Sequence, residues 1–267
     1  MTIAGSRSRC TSISTSVRIF LLLSLIACAA AVSSAQTFVV DANLDNSTKN
    51  LSTCVEPGCN PGGNPSGPTA VSSTVVATTP CGNPPDGAAL ELSVTGPSYV
   101  NALWSYKMGA MNNATHFRLD FDACFDSSIS TDQAFEADIA LFVSGSPGWN
   151  YMFGGQCDLP AGVYDVWDQS NPRWIPTSIP CTATTLSANQ WHHFQRGVHL
   201  DSVNALWFDY FCISGQCWGN NSMGKYAAGA LPNGWGSTRI WQFQLDLGVA
   251  GGTTTVWLNN VTGSAWQ

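Results

Sequence analysis

Charge is scarce in this sequence. Only 10% of its residues are Asp, Glu, Lys or Arg. Long amphipathic helices wet one face with such residues, so a helical bundle is excluded. Positive charge is the scarcer sign, with 10 Lys and Arg against 17 Asp and Glu and a formal net charge of −7. A phosphate backbone needs a basic surface, so a nucleic-acid partner is excluded. Adhesion to an anionic bilayer by charge alone is excluded for the same reason. The chain has no heptads, no glycine-rich phosphate loop and no 20–50-residue repeat. It has no Cys-x-x-Cys, and no His stands at ligand spacing beside a cysteine, which argues against zinc. No cofactor is called for. A structural calcium is left open, with no motif pointing to it.

The first segment carries an export signal. Arg7, Arg9 and Arg18 are followed by an apolar run from Ile19 to Ala27, and small residues close it from Ala29 to Ala35. About 20 apolar residues are needed to cross a bilayer as a helix, and this run is roughly half that. A basic flank, a short apolar core and a small-residue exit read as a signal peptide over residues 1–35, cut ahead of Gln36. One alternative changes the destination. Leu25-Ile26-Ala27-Cys28 resembles a bacterial lipobox, in which Cys28 is lipidated and becomes the new N-terminus. The chain is therefore expected outside the cytoplasm, either secreted or held at the outer membrane or cell surface. Lipidation at Cys28 is its one route to a membrane.

The cysteines agree with export. Beyond the signal stand Cys54, Cys59, Cys81, Cys124, Cys157, Cys181, Cys212 and Cys217. An even set bound for an oxidising compartment predicts disulfides. Cys54 with Cys59, and Cys212 with Cys217, could each close a local loop. Cys157 with Cys181 would tie two neighbouring strands. Connectivity as a whole is not deducible from spacing.

About 230 residues remain after the signal, compatible with one large β domain. Thr, Val, Phe and Trp between Gly, Pro and Asn punctuation favour short strands. A first strand is expected at Thr37–Asp41. Residues 54–87 read as a cross-linked Pro/Gly-rich loop, so 36–87 form the N-terminal strand and loop of the same domain. From residue 88 to 267 strands follow at short intervals, beginning with Ala88–Val94 and closing with Thr253–Leu258. Strands without helices between them predict an all-β fold of two packed antiparallel sheets.

Alternation also predicts what the sheets expose. Successive side chains of a strand point to opposite faces. Phe117, Leu119 and Phe121 then oppose Arg118, Asp120 and Asp122. Phe135, Ala137 and Ile139 oppose Glu136 and Asp138. Trp241, Phe243 and Leu245 oppose Gln242, Gln244 and Asp246. Phe194, Val198 and Leu200 oppose His193, Gln195 and His199. A solvated sheet surface would explain these polar faces, but Asp is disfavoured in mid-strand. Planar amides and carboxylates suit vicinal hydroxyls, and rings suit the apolar face of a sugar. Trp149, Tyr151, Trp167, Trp174, Trp207, Trp218 and Trp235 supply rings. Trp167 is the best stacking candidate because it shares a strand face with Asp165. Trp218 and Trp235 lie in Gly/Asn-rich stretches where exposure is expected.

Three stretches carry a resemblance. Asn189-Gln190-Trp191-His192-His193-Phe194 resembles a strand start of laminin-G-like and other concanavalin A-like domains. Thr255-Val256-Trp257-Leu258-Asn259-Asn260-Val261-Thr262 resembles the last strand of such jelly rolls, often written with Asp where this chain has Asn259. The block from Phe135 through Gly154-Gly155-Gln156-Cys157 and Val166-Trp167-Asp168 to Pro180-Cys181 is similar to secreted bacterial proteins of this superfamily. Together they span roughly Ala88 to Trp266. The resemblance implies a jelly-roll sandwich whose concave sheet forms a glycan groove.

The enzymes of that superfamily fit less well. The glucanase pattern E-x-D-x-x-E finds Glu136 and Asp138 but Leu141 in the third place. The alginate-lyase patterns R-x-E-x-R and Q-x-H find Arg118-Leu119-Asp120-Phe121-Asp122 and a reversed His193-Phe194-Gln195. No catalytic residue carries over, and the balance leans against an enzyme.

The leading expectation is therefore a secreted or surface-exposed protein that binds a poly- or oligosaccharide through Arg118, Asp120, Glu136, Asp138, Trp167, Gln242 and Gln244. The alternatives are a polysaccharide hydrolase or lyase using Glu136 and Asp138, or His193 with Tyr151, and an adhesive surface protein with no sugar site. The deciding observation is whether Arg118, Glu136, Asp138, Gln242 and Gln244 converge in one concave groove.

Overall fold

The computed structural model describes residues 38–55, 57–58, 66–219, 223–230 and 236–267. The signal segment, Cys28, Cys59 and Trp235 lie outside the described residues. Among those described, the chain forms two antiparallel sheets of nine strands each. The first contains β1 (Phe38–Asp41), β3 (Ala70–Val76), β4 (Ala89–Gly96), β6 (His116–Phe125), β12 (Trp191–Leu200), β13 (Leu206–Ile213), β14 (Gln216–Gly219), β15 (Lys225–Tyr226) and β18 (Gly252–Trp266). The second contains β2 (Leu51–Val55), β5 (Asn101–Met108), β7 (Ala134–Val143), β8 (Trp149–Phe153), β9 (Gly155–Asp158), β10 (Val163–Asp168), β11 (Arg173–Pro180), β16 (Gly229–Ala230) and β17 (Thr238–Asp246). Neighbours in each sheet are mostly distant in sequence, as in a jelly roll: β6 lies between β12 and β18, and β17 between β5 and β7.

The alternation read from sequence places the core. Phe117, Leu119, Phe121 and Phe125 of β6 and Phe194 and Val198 of β12 meet Phe135, Ile139 and Leu141 of β7 and Trp241, Phe243 and Leu245 of β17 in one buried cluster. Phe121 and Phe194 stack at 4.9 Å, and Phe243 meets Phe121 edge-on at 5.1 Å. Such pairs add about 0.5–1.5 kcal/mol each beyond the area they bury.

Among the described residues, three disulfides join Cys81 to Cys124, Cys157 to Cys181 and Cys212 to Cys217. The last two match the sequence-based pairs. The first straps the turn after β3 to β6, where Ala89, Cys124 and Trp257 form a small buried cluster outside the main core.

One reading is corrected. The stretch 54–87 is not all loop, because it contains the end of β2 and the whole of β3. Among the described residues each pairs with one neighbour only, β2 with β5 and β3 with β4. An edge strand needs no strong apolar face, and Ala70-Val71-Ser72-Ser73-Thr74 shows none. Strand β11 carries Pro176 and Pro180. It too lies at a sheet edge, where proline is tolerated.

Candidate functional site

The polar residues singled out in sequence fall on two faces, not one. Arg118 and Asp120 stand on the outer face of β6 in the first sheet. Glu136 and Asp138 of β7 and Gln242 and Gln244 of β17 stand on the outer face of the second, with the whole core between. The single groove expected from the resemblance is thus corrected. A strand face is fixed by alternation, but which sheet a strand joins is set by long-range pairing that alternation does not carry.

The second-sheet set is brought together and is hydrogen-bonded mostly to itself, with Asp165 Oδ1 the oxygen of the set left buried without a partner. Register places Gln244 opposite Glu136 and Gln242 opposite Asp138. Gln244 Nε2 donates to Glu136 Oε1 at 2.7 Å and to Asp246 Oδ1 at 3.0 Å. Gln242 Nε2 donates to Asp138 Oδ2 at 2.6 Å, and the Gly155 backbone N–H donates to Asp138 Oδ1 at 2.8 Å. Gln156 Nε2 donates to Asp165 Oδ2 at 3.2 Å. Glu136, Asp138, Gln156, Asp165 and Gln242 are all buried. Burial, then the charges of Asp246 and Asp138, push Glu136 well above the usual carboxylate range. Burial also raises Asp138, although Arg196 and Gln242 pull it back. Trp167 shares this face through Asp165, and its ring meets Trp174 edge-on at 5.2 Å. Trp167 and Trp174 are half-buried.

Beneath this face lies a residue that sequence reading passed over. Arg196 of β12 points into the core and crosses to the second sheet, only 2% exposed. Its guanidinium donates to the carbonyls of Ala137 and, at 2.9 Å, Phe153. It stands 4.0 Å from Asp138 Oδ1. A break in pairing makes this necessary, because β8 leaves β7 after Ile139 and β9 joins it only at Glu136. Gly155 is required at the break, since a Cβ there would lie 2.6 Å from Arg196 Nη1.

The pairing of His193 with Tyr151 is also corrected. Tyr151 is buried in the core from β8, while His193 lies on the outer face of β12. No proton can pass between them across the packed core.

The outer face of the first sheet is the open one. Cross-strand register aligns Phe38, Trp266, His116, His199 and Trp207, one from each of five adjacent strands. Their rings follow one another at 5.9, 5.6, 5.5 and 6.0 Å. Lys225 closes the row 5.1 Å over Trp207. The inner rings are near parallel and spend their faces on each other. Phe38, at the end of the row, is 60% exposed.

Beside the row lies a polar grid. Arg118 Nη2 donates to Asp120 Oδ2, and Gln195 Nε2 reaches the same oxygen at 2.9 Å. His193 Nδ1 lies 2.8 Å from Asp122 Oδ1, and its Nε2 lies 3.5 Å from Asp120 Oδ1. Asn260 Nδ2 donates to Asp122 Oδ2 at 2.7 Å. Between row and grid is a depression of about 450 Å³ lined by Phe38, Arg118, Asp120, Asn260, Thr262, Ser264 and Trp266. It joins one guanidinium, one carboxylate, one amide and two hydroxyls to two rings. A β-bulge between Asn259 and Thr262, with Asn260 at φ 54°, turns the Asn260 side chain onto this face.

Comparison with known proteins adds fold likenesses only. No protein-family model and no curated protein matches the chain. Its fold is similar to those of several solved structures at low identity. One is a cellulose-induced protein, at 11% identity and a TM-score of 0.46 over 81% of this chain and 92% of that one. Another is a lectin from Bauhinia forficata in complex with GalNAc, at 10% identity and 0.43 over 86% and 99%. A third is a family 7 alginate lyase, at 11% identity and 0.41 over 68% and 81%. Likenesses this distant say nothing of this chain's ligand, which must be read from its own residues.

Of those residues, Arg118 and Asp120 were legible as a wet strand face, and His193 and His199 as ring nitrogens beside them. Thr262, Ser264 and Trp266 were not, because the last strand was expected to end at Leu258, and Phe38 stood in an expected strand whose pairing with Trp266 no local pattern carries. The Asn259–Thr262 bulge interrupts the alternation that would have revealed its second half.

Proposed function

We propose that this chain is an exported carbohydrate-binding β-sandwich protein, and that it holds its glycan in the depression between Phe38, Trp266 and Arg118. The observation that carries the reading is the meeting of two rings with a mixed set of donors and acceptors in an open hollow. Rings cover the apolar face of a pyranose, and amide, carboxylate and guanidinium groups pair with its hydroxyls. The disulfides support an oxidising compartment. The signal segment supports export, by cleavage ahead of Gln36 or by lipidation at Cys28.

Charge favours a neutral glycan. Arg118 is already paired with Asp120, and Lys225 with Asp201 at 2.8 Å. Asp122 and Asp209 add further negative charge to the face. A uronate would meet carboxylates with no spare cation to neutralise it. The catalytic reading is weaker. Glu136 and Asp138 sit at i,i+2, but retaining hydrolysis needs one ionised and one protonated carboxyl open to the sugar. Here burial pushes both toward the neutral form, and glutamines occupy both.

Affinity gels cast with neutral and acidic polysaccharides test the proposal. A neutral polysaccharide should retard the protein, and Trp266→Ala and Arg118→Ala should each abolish most of the retardation. Trp167→Ala should leave it intact. Loss of binding in Trp167→Ala alone would move the site to the second sheet, and no retardation by any glycan would end the reading. Reducing-end release, or absorbance from an unsaturated sugar, would restore the enzyme.

A further inference from the structure

His116 stands inside the ring row of the first sheet, with both faces of its imidazole covered. On one side the Trp266 indole stacks on it at 5.6 Å and an interplanar angle of 13°. On the other the His199 imidazole stacks at 5.5 Å and 20°. Register fixes all three, since His116 of β6 lies opposite Trp266 of β18 and opposite His199 of β12. Trp266 is also a wall of the hollow. Its indole has His116 on one side and Phe38, tilted by 44°, on the other. Phe38 is the exposed end of the row, so the firm support for the indole comes from His116. The Thr115 hydroxyl lies 3.0 Å from His116 Nδ1. His199 Nδ1 donates to Asp209 Oδ1 at 2.6 Å, and the carboxylate fixes where that proton sits.

We infer that His116 is the positioning residue for Trp266: the neutral imidazole holds the indole at the edge of the hollow, and protonation lets it go, so that acid releases the glycan. The inference rests on the carbohydrate reading of the hollow. A neutral imidazole is a flat spacer that fits between two rings. An imidazolium must be hydrated or paired, and among the described residues no side-chain carboxylate bonds to His116. The charged groups around it are His199 on β12, Asp209 beyond His199 on β13, and Arg118 two places along β6. Arg118 is bound to Asp120, and Asp209 to His199. Lys225 of β15 is further off, over Trp207. β1 and β18 present Phe38, Trp266 and Ser264, which do not titrate. Partial burial, then the charge of His199, lower the pKa of His116 below its ordinary 6.5, and Asp209 offsets them only in part. The indole face attracts a cation, but that attraction is outweighed. The imidazolium therefore trades its place in the stack for water, and the indole loses the surface it leans on. By reciprocity, a glycan that needs the neutral form lowers the pKa of His116 further when bound.

The chain has four histidines, so their ring protons can be followed one by one against pH by NMR. Without ligand, the His116 signal should titrate below 6.5, and the Trp266 indole N–H should shift with the same midpoint. Affinity gels of hydroxyethyl cellulose, galactomannan and dextran supply the second reading. Affinity for whichever retards the protein should fall about tenfold from pH 7.5 to pH 4.5. His116→Ala should lose most binding at every pH. His116→Phe should recover part of that loss and flatten the profile. His193, whose Nδ1 lies 2.8 Å from Asp122 in the neighbouring grid, is the rival titrating group. His193→Gln should keep the slope. A Trp266 signal that ignores the His116 titration, a flat profile in the unaltered protein, or a slope abolished by His193→Gln would overturn the inference. Tighter binding in acid would do so too, because the cation–indole attraction would then have won. Each of these leaves the carbohydrate reading standing. If no glycan retards the protein, the carbohydrate reading falls, and the common midpoint of His116 and Trp266 alone decides whether the one positions the other.

Discussion

The guanidinium of Arg196 lies 4.0 Å from the carboxylate of Asp138, although the two side chains belong to different sheets. Arg196 reaches it by crossing the core and bonding the two carbonyls that the break between β8 and β9 leaves open. Removing the arginine would strand those carbonyls and bury a carboxylate without a cation. Breaking a buried pair in this way costs about 3–5 kcal/mol. Arg196→Met, which keeps most of the volume, should therefore lower the urea midpoint sharply without changing the slope. A loss under 1 kcal/mol would mean that water enters the gap and replaces the guanidinium.

Stability should fall as pH rises from 4 to 7. Asp132 is buried, accepts from Thr254 Oγ1 at 2.5 Å, and has its pKa pushed up to about 7, chiefly by burial. Its ordinary value is 3.8. Between those values the folded chain binds a proton that the unfolded chain releases. The contribution is thus complete below the unfolded pKa and lost as pH passes through 7. Glu136 adds to the same trend. Melting temperature against pH should slope downward over this window, and Asp132→Asn should flatten part of the slope. A curve that rises from pH 4 to 7 would contradict the assignment.

The disulfides should rank by the loops they close. Their separations are 43 residues for Cys81–Cys124, 24 for Cys157–Cys181 and 5 for Cys212–Cys217. Loop-closure entropy assigns them about 4, 3.5 and 2 kcal/mol. Paired Cys→Ser substitutions, followed by urea unfolding, should reproduce that order. An inverted order would mean that packing around Cys212–Cys217 outweighs the chain entropy.

On the open face, Trp266→Ala should cost about tenfold in affinity for a retained neutral oligosaccharide, the equivalent of about 1.4 kcal/mol. Trp266→Phe should recover much of it. Isothermal titration measures both. Equal losses in the two variants would indicate that Trp266 supports His116 and does not touch sugar.

Local chemistry was legible in this sequence, and long-range placement was not. Phe117-Arg118-Leu119-Asp120-Phe121-Asp122 announces one dry and one wet face, and β6 obeys it. Glu136 with Gln244, and Asp138 with Gln242, carry the same message, and register makes them neighbours. That Arg118 belongs to the opposite sheet depends on β6 pairing with β12 and β18, at separations alternation cannot report. Arg196 was hidden because it sits in an apolar phase, where a cation is explained only by a carbonyl gap on another sheet.

The pairing of β1 with the end of β18 has a practical consequence. Phe38 faces Trp266 and Val39 faces Ala265, so the first and last described strands lie side by side. A short linker from residue 267 to residue 38 could close the chain into a ring, and adjacent ends of this kind favour circular permutation. The ring could be reopened at the Asp201–Asn204 turn, where Asn204 N–H bonds the Asp201 carbonyl at 2.9 Å. Such a permutant would carry its fusion partners at that turn instead of beside the Phe38 rim, leaving the hollow unobstructed on an immobilised protein.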